Sequence, residues 1–251
     1  MSGHSKWSTI KHKKGAADAK RSKVFTKVIK EITVAARLGG EDPNANPRLR
    51  SAIALAKSVN MPSDNVAKAI KKGVGGGKGE NWETIIYEGY GPNNVAVIVE
   101  CLTDNRNRTI SSIRAAFGKN GGNIGATNSV MYMFDRKGFI EVDKKKIDEE
   151  ALTEYVLETG AEDIDSTQDE VFLIETDPSN LGDTHRYLEE KGVEIKTSGI
   201  DLTPQNRIEI TDVNKAQQVI RFIEALEDDD DVQKVFSNFD INDEVLQKLN
   251  A

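Results

Sequence analysis

Seven residues, Gly73 to Gly79, divide this chain into two stretches that obey different folding rules. Before them, apolar residues recur at helical spacing among lysines. After them, short runs rich in β-branched residues alternate with helical segments, and acids prevail. Five of the seven are glycine, a composition that interrupts helix and strand alike, and 251 residues exceed the usual size of one core. The run is not a phosphate loop: Lys78 is followed by Gly79 instead of Ser or Thr, and Lys72 stands where the first glycine is required. It reads as a flexible linker.

Charge segregates at the same place. Through Lys78 there are 17 Lys and Arg against 5 Asp and Glu, a net of +12; the remainder holds 17 against 36, a net of −19, and together they give the chain's −7. The first 30 residues carry nine basic side chains and one acid, Asp18. An acidic protein is already soluble, so a strongly positive end points to a polyanionic partner, with nucleic acid foremost.

Several classes are disfavoured. No stretch approaches the roughly 20 apolar residues that span a bilayer, and the polar, basic opening lacks the apolar segment of a secretory signal. Cys101, the single cysteine, lies in the apolar run Val95 to Leu102 and reads as a buried small hydrophobe, which suits a reducing cytoplasm. His4, His12 and His185 with one cysteine make no metal-site spacing, so no metal and no cofactor are expected. No Ser or Cys nucleophile has a base nearby, and His185 sits among Asp183, Arg186 and Glu189 where a surface role is the default. A non-enzymatic protein without a small-molecule substrate is expected.

The basic part predicts three helices. From Lys20 to Leu38, the residues Val24, Phe25, Val28, Ile29, Ile32, Ala35 and Ala36 fall within about 140° of arc, while Lys20, Lys23, Lys27 and Lys30 cluster opposite within about 80°. Gly39-Gly40 ends this helix. A second runs over roughly 48–59 with Leu49, Ile53 and Ala56 inward, and a third over 64–72 with Ser63 as N-cap, Val66, Ala67 and Ile70 apolar, and Gly73 as stop.

Beyond the linker, strands are predicted at 85–90 and 95–102, a helix at 106–119 burying Ile110, Ile113 and Phe117, and a strand at 129–134. A βαββαβ rhythm follows: strand 138–142, helix 148–158, strands 163–166 and 171–175, helix 179–191, strand 193–198, which is a ferredoxin-like unit in itself. Strand 207–210, helix 213–226 and strand 232–239 are too little sheet to stand alone and return to the segment before Gly138. The expected partition is a basic arm and helical bundle, 1–78; a discontinuous α+β domain, 79–137 plus 205–251; and a ferredoxin-like α+β domain inserted at 138–204.

The candidate nucleic-acid contacts are Lys6, Trp7, Lys11, His12, Lys13, Lys14, Lys20, Arg21, Lys23, Lys27 and Lys30 on the arm and first helix, with Arg48, Arg50, Lys57, Lys68, Lys71 and Lys72 on the second and third. Lysine contacts to phosphate release counterions and carry no base code, so backbone and shape recognition is expected. Trp7 either stacks on an unpaired base or anchors the arm on the bundle. Asp104 to Arg108 joins a strand to a helix start, with capping as one reading and contact of Arg106 and Arg108 with phosphate or a carboxylate as the other. Gly122-Asn123-Ile124-Gly125 superficially matches a KH-type GxxG loop but does not join two helices. Glu227 with Asp228 to Asp231 reads as a solvated turn; competition with nucleic acid for the basic arm in cis is the alternative.

Gly3-His4-Ser5-Lys6-Trp7, Ile10 to Lys14, Asn46-Pro47-Arg48-Leu49-Arg50, Asn60-Met61-Pro62 and Tyr87 to Pro92 closely resemble the YebC/PmpR family, whose mitochondrial relatives are translational activators of cytochrome c oxidase. Leu102 to Arg108, Val130 to Phe134 and Arg136-Lys137-Gly138 extend the resemblance over essentially the whole chain. It implies an α+β protein with an N-terminal three-helix domain and two ferredoxin-like α/β sandwich domains, the third inserted in the second. It also implies a cytoplasmic transcriptional regulator that binds promoter DNA, with the alternative of a translation factor on ribosomal or transfer RNA that eases synthesis of proline runs at the ribosome. Asn93-Asn94 stands where the family usually has glycines, and Asn128 where a glycine often precedes Ser129.

Overall fold

In a computed structural model the described residues are 18–75, 82–168 and 170–250. The chain is α+β, with helices first and β-sheet domains after them. Helix α1 spans Asp18–Gly39, α2 Pro47–Ser58 and α3 Ser63–Val74. By the density of their own contacts, the described residues fall into two compact units, one drawn from 18–31, 82–135 and 203–250, the other from 32–75, 136–168 and 170–202.

In the second unit, five consecutive residues of α1, Ile32 to Ala36, are buried, so this part of the helix is enclosed on all sides rather than along one stripe. Gly40, at a φ of 86°, ends the helix with its N–H on the Ala36 carbonyl. Asn46 then performs two tasks. Its Oδ1 caps α2 by accepting from the Leu49 amide at 3.1 Å, and its Nδ2 donates to the carbonyls of Ala35 and Gly40 at 2.8 and 2.9 Å. Pro47 occupies the first helical turn, where a missing N–H costs nothing.

The third helix departs from expectation. Gly73 is not its stop: the helix runs through Val74, and its buried residues are Ala69 and Gly73, with Ala67 exposed. A Cβ at Gly73 would lie 2.4 Å from the Thr33 carbonyl oxygen, so the absent side chain lets two helices approach backbone to backbone. Ser63 is not the N-cap either; Pro62 occupies that position and makes no side-chain cap bond. The remainder of the glycine linker, 76–79, lies outside the described residues.

The first unit carries β1 (Glu83–Tyr90), β2 (Ala96–Thr103), helix α4 (Arg106–Lys119), the short β3 (Asn123–Ile124), β8 (Ile208–Ile210), helix α7 (Val213–Glu227), β9 (Val232–Ser237), β10 (Phe239–Ile241) and helix α8 (Asp243–Asn250). Its main sheet has the order β3-β1-β2-β9 with antiparallel neighbours; β8 and β10 pair separately and in parallel. The central strand β2 is buried along nearly its full length. Its Val97, Val99 and Cys101 join Ile113 and Phe117 of α4, Val219, Phe222 and Leu226 of α7, and Val245 and Leu246 of α8 in one core. Phe117 and Phe222 meet edge to face, with centroids 4.9 Å apart. Burial pushes the Cys101 thiol far above its ordinary value, as expected of a packing residue.

Of the predicted strand 129–134, only Phe134 is strand. Met131–Met133 is a 3₁₀ turn, and β4 begins at Phe134 and runs unbroken to Asp143. The cause is Glu88 on β1, 4% exposed, whose carboxylate accepts from the amides of Asn128, Val130 and Met131 at 2.7, 2.9 and 2.8 Å. Amides drawn onto a carboxylate are withdrawn from a ladder, and Asn123–Ile124 takes the sheet edge instead. Three asparagines serve these turns in the left-handed region, Asn93 at φ 61°, Asn94 at 60° and Asn128 at 64°. They are the positions at which relatives of this chain are expected to carry glycine, and asparagine is among the few side chains that tolerate this conformation.

The second unit also holds most of β4, helix α5 (Glu149–Leu157), β5 (Asp163–Asp165), β6 (Val171–Thr176), helix α6 (Leu181–Glu190) and most of β7 (Ile195–Pro204). Its sheet order is β5-β6-β4-β7, and Ile140, Val142, Leu152, Val156, Phe172, Ile174 and Leu188 form its core. The strands that carry the chain out and back, β4 and β7, are neighbours. Among the described residues no helix is long and apolar enough to cross a membrane.

Candidate nucleic-acid interface

The sequence-predicted contacts of the arm and the three helices separate into four groups. Lys6, Trp7, Lys11, His12, Lys13 and Lys14 lie outside the described residues. Lys20 and Arg21 belong to α1. Of the remainder, Arg50, Lys57, Lys68, Lys71 and Lys72 are exposed on α2 and α3, and Arg48 is half-buried. Lys71 and Lys72 stand in the last turn of α3, where positive charge complements the helix dipole. Arg50 Nη1 donates to the Pro43 carbonyl at 3.3 Å.

Lys23, Lys27 and Lys30 are arranged otherwise. They form one row on α1, as their spacing predicts, but the row faces the segment that follows α7. Lys23 Nζ lies 3.1 Å from Asp228 Oδ1 and donates to the Asp228 carbonyl at 3.3 Å. Lys27 Nζ donates to the Glu227 carbonyl. Lys30 Nζ donates to the Asp230 carbonyl at 2.8 Å and to Asp231 Oδ1 at 3.1 Å, and sits 5.5 Å from the centre of the Trp82 ring. Three cations therefore meet the C-terminal end of α7, where unpaired carbonyls and the helix dipole concentrate negative potential.

The acidic segment is the turn that its composition suggests but is solvated only in part: Asp228 and Asp230 are exposed and Asp231 is not. Asp231 is 4% exposed. Its Oδ2 accepts from Arg108 Nη2 at 2.8 Å, Arg108 Nε at 3.2 Å, Thr109 at 2.9 Å and Thr103 at 3.3 Å. Burial acts to raise the Asp231 pKa, but the hydrogen bonds from Arg108, Lys30 and Thr109 outweigh it and hold the group below its ordinary value. Asp229 accepts from Ser112 and from the Asp231 amide. The bond to Asp231 likewise raises Arg108.

Both readings of 104–108 meet this geometry. Asn105 caps α4, accepting from the Arg108 amide at 3.1 Å. Arg108 is engaged with Asp231 and, at 3.0 Å, with Asp104, whereas Arg106 is exposed and 4.0 Å from Glu83. An open hollow of about 520 Å³ adjoins them, lined by Lys30, Trp82, Asp104, Arg108, Ser112, Asp229, Asp230 and Asp231. Four carboxylates against two cations make it unsuited to phosphate. The residues that sequence reasoning missed here, Thr109 and Trp82, carry no local signal; Asp231 belongs to the acidic run that the sequence singles out, as a solvated turn or a competitor for the basic arm. What was available is the complementarity between a lysine row and an acidic run some 200 residues later.

Comparison with known proteins shows the family of the chain. The family model described as the N-terminal domain of TACO1/YebC proteins matches residues 5–76, and that for their second and third domains matches 82–239. A "Probable transcriptional regulatory protein" of Syntrophus aciditrophicus is 55% identical over 252 residues, covering all of both chains. One from Desulfotalea psychrophila is 54% identical over 249 residues and 99% of each. The crystal structure of a conserved hypothetical protein from Aquifex aeolicus superposes with a TM-score of 0.82 at 50% identity, covering 92% of this chain and 94% of that one. With both family segments matched in order and relatives aligned end to end, this chain belongs to the TACO1/YebC family.

Proposed function

We propose that this protein is a non-enzymatic, DNA-binding transcriptional regulator that grips duplex phosphates through its basic N-terminal region, residues 1–78. The observation that carries the reading is the exposed cationic surface of α2 and α3, Arg50, Lys57, Lys68, Lys71 and Lys72, continuing a stretch of net charge +12 on an acidic chain. The relatives' names, which say transcriptional regulation, agree with it. Lysine-dominated contact favours recognition by charge and shape, with promoter choice left to DNA form. In the same proposal both sheet domains are ferredoxin-like carriers, at 79–137 with 205–251 and at 138–204; the β5-β6-β4-β7 order and flanking helices of the latter support this.

The test is a salt titration of full-length protein on promoter duplexes, with structured ribosomal RNA in parallel. If about five to seven phosphates are contacted, the logarithmic slope is on the order of −5. Replacing Lys11, Lys13, Lys14 and Lys20 by Glu abolishes binding with thermal unfolding nearly unchanged. A flat titration rejects the reading, and tighter, competing binding to the RNA transfers it to translation.

A further inference from the structure

We infer that the acidic turn 227–231 is a built-in substitute for a phosphate backbone, and that the Lys23, Lys27 and Lys30 row takes hold of DNA only by letting go of it. This rests on the preceding reading that the N-terminal region binds DNA.

The geometry is that of a polyanion held by a lysine row. Spacings of four and three residues put the three ammonium groups on one helix face. Their partners are the carbonyls of Glu227, Asp228 and Asp230 and the carboxylates of Asp228 and Asp231. Most of these acceptors are main-chain oxygens, as sequence-blind as phosphates. The turn is held ready because Asp229 and the Oδ2 of Asp231 are bound on the other side, by Ser112, Thr109 and Arg108 of α4, while Asp231 Oδ1 also accepts from Lys30. Strength is graded along the row. Lys23 and Asp228 keep 42% and 63% of their side chains in water, a pair that salt screens and a denser anion displaces; Lys30 and Asp231 keep 19% and 6%. Because the lysine stems are long and each ammonium has three donors, the exchange needs side-chain rotation at the Lys23 end and no movement of the helix.

The experiment is a cycle on the full chain. Asp228 and Asp230 are exposed, so Asp228→Asn with Asp230→Asn leaves the fold intact, which the unfolding temperature verifies. At low salt this variant binds a promoter duplex about three- to tenfold more tightly than the natural protein, because the competitor for the lysines is weakened. In a Lys23→Gln, Lys27→Gln, Lys30→Gln background the same two substitutions change affinity by less than about twofold. No gain in the first variant overturns the inference while leaving DNA binding intact. A gain that persists in the Gln background also overturns it, since the effect is then general charge reduction. If the natural protein itself binds no duplex, the functional reading falls first and takes this one with it.

Discussion

Two sets of lysines arise from one sequence signal and meet opposite fates. Those on α2 and α3, Lys57, Lys68, Lys71 and Lys72, stand in solvent, while Lys23, Lys27 and Lys30 on α1 close onto the carbonyls and carboxylates after α7. Helical periodicity shows that a face is cationic. It does not show what faces it, because the partner lies some 200 residues away in sequence.

The most severe way to break this contrast is to remove the keystone of the docked set. Asp231→Ala leaves Arg108, Lys30 and Thr109 without their shared acceptor and lowers stability by about 3 kcal/mol, measured by denaturant unfolding. Reversing the exposed set, with Lys57, Lys68, Lys71 and Lys72 to Glu, lowers duplex affinity about a hundredfold at low salt in an electrophoretic or fluorescence titration and leaves unfolding almost unchanged. The docked row sharpens the comparison from the other side: Lys23→Gln, Lys27→Gln, Lys30→Gln costs about 1–2 kcal/mol of stability, unlike any neutralisation on α3.

Acid separates them further. Asp231 has a folded-state pKa below its ordinary 3.8, so its contribution is complete above that value and disappears as pH falls through the lowered one. The stability gap between the natural protein and Asp231→Ala is therefore constant from about pH 5 to 8 and narrows only below about pH 4. The smallest effect belongs to Lys23→Ala alone, under about 0.5 kcal/mol, because its ion pair is exposed.

Much of the fold was legible. Helix α4 was predicted at 106–119 and observed at Arg106–Lys119, since an Asn cap, a buried stripe and a terminal glycine pair all agree locally. The errors cluster where a distant group overrides local preference. Residues 129–134 have strand composition, yet Glu88 takes the amides of Val130 and Met131. Gly73 looks like a helix stop and is instead a contact point between helices. Helix α8 was missed because eight residues give barely two turns of pattern; Val245 and Leu246 are held by the core. For the candidate site, the sequence revealed which residues carry charge and offered, as alternatives, a carboxylate for Arg108 and the acidic run as a competitor for the basic arm; which atoms meet was not legible, because the partners lie 123 and 200 residues apart.

By itself, the sequence determined the order of helices and strands, the segregation of positive from negative charge, and the asparagines that serve left-handed turns. Each of these follows from side-chain periodicity and backbone preference within a few residues. Only the tertiary structure decided which lysines face water and which face an acidic turn, and which segment takes a sheet edge. Those outcomes depend on long-range pairing, where the desolvation of a charge is balanced by partners that no local window contains.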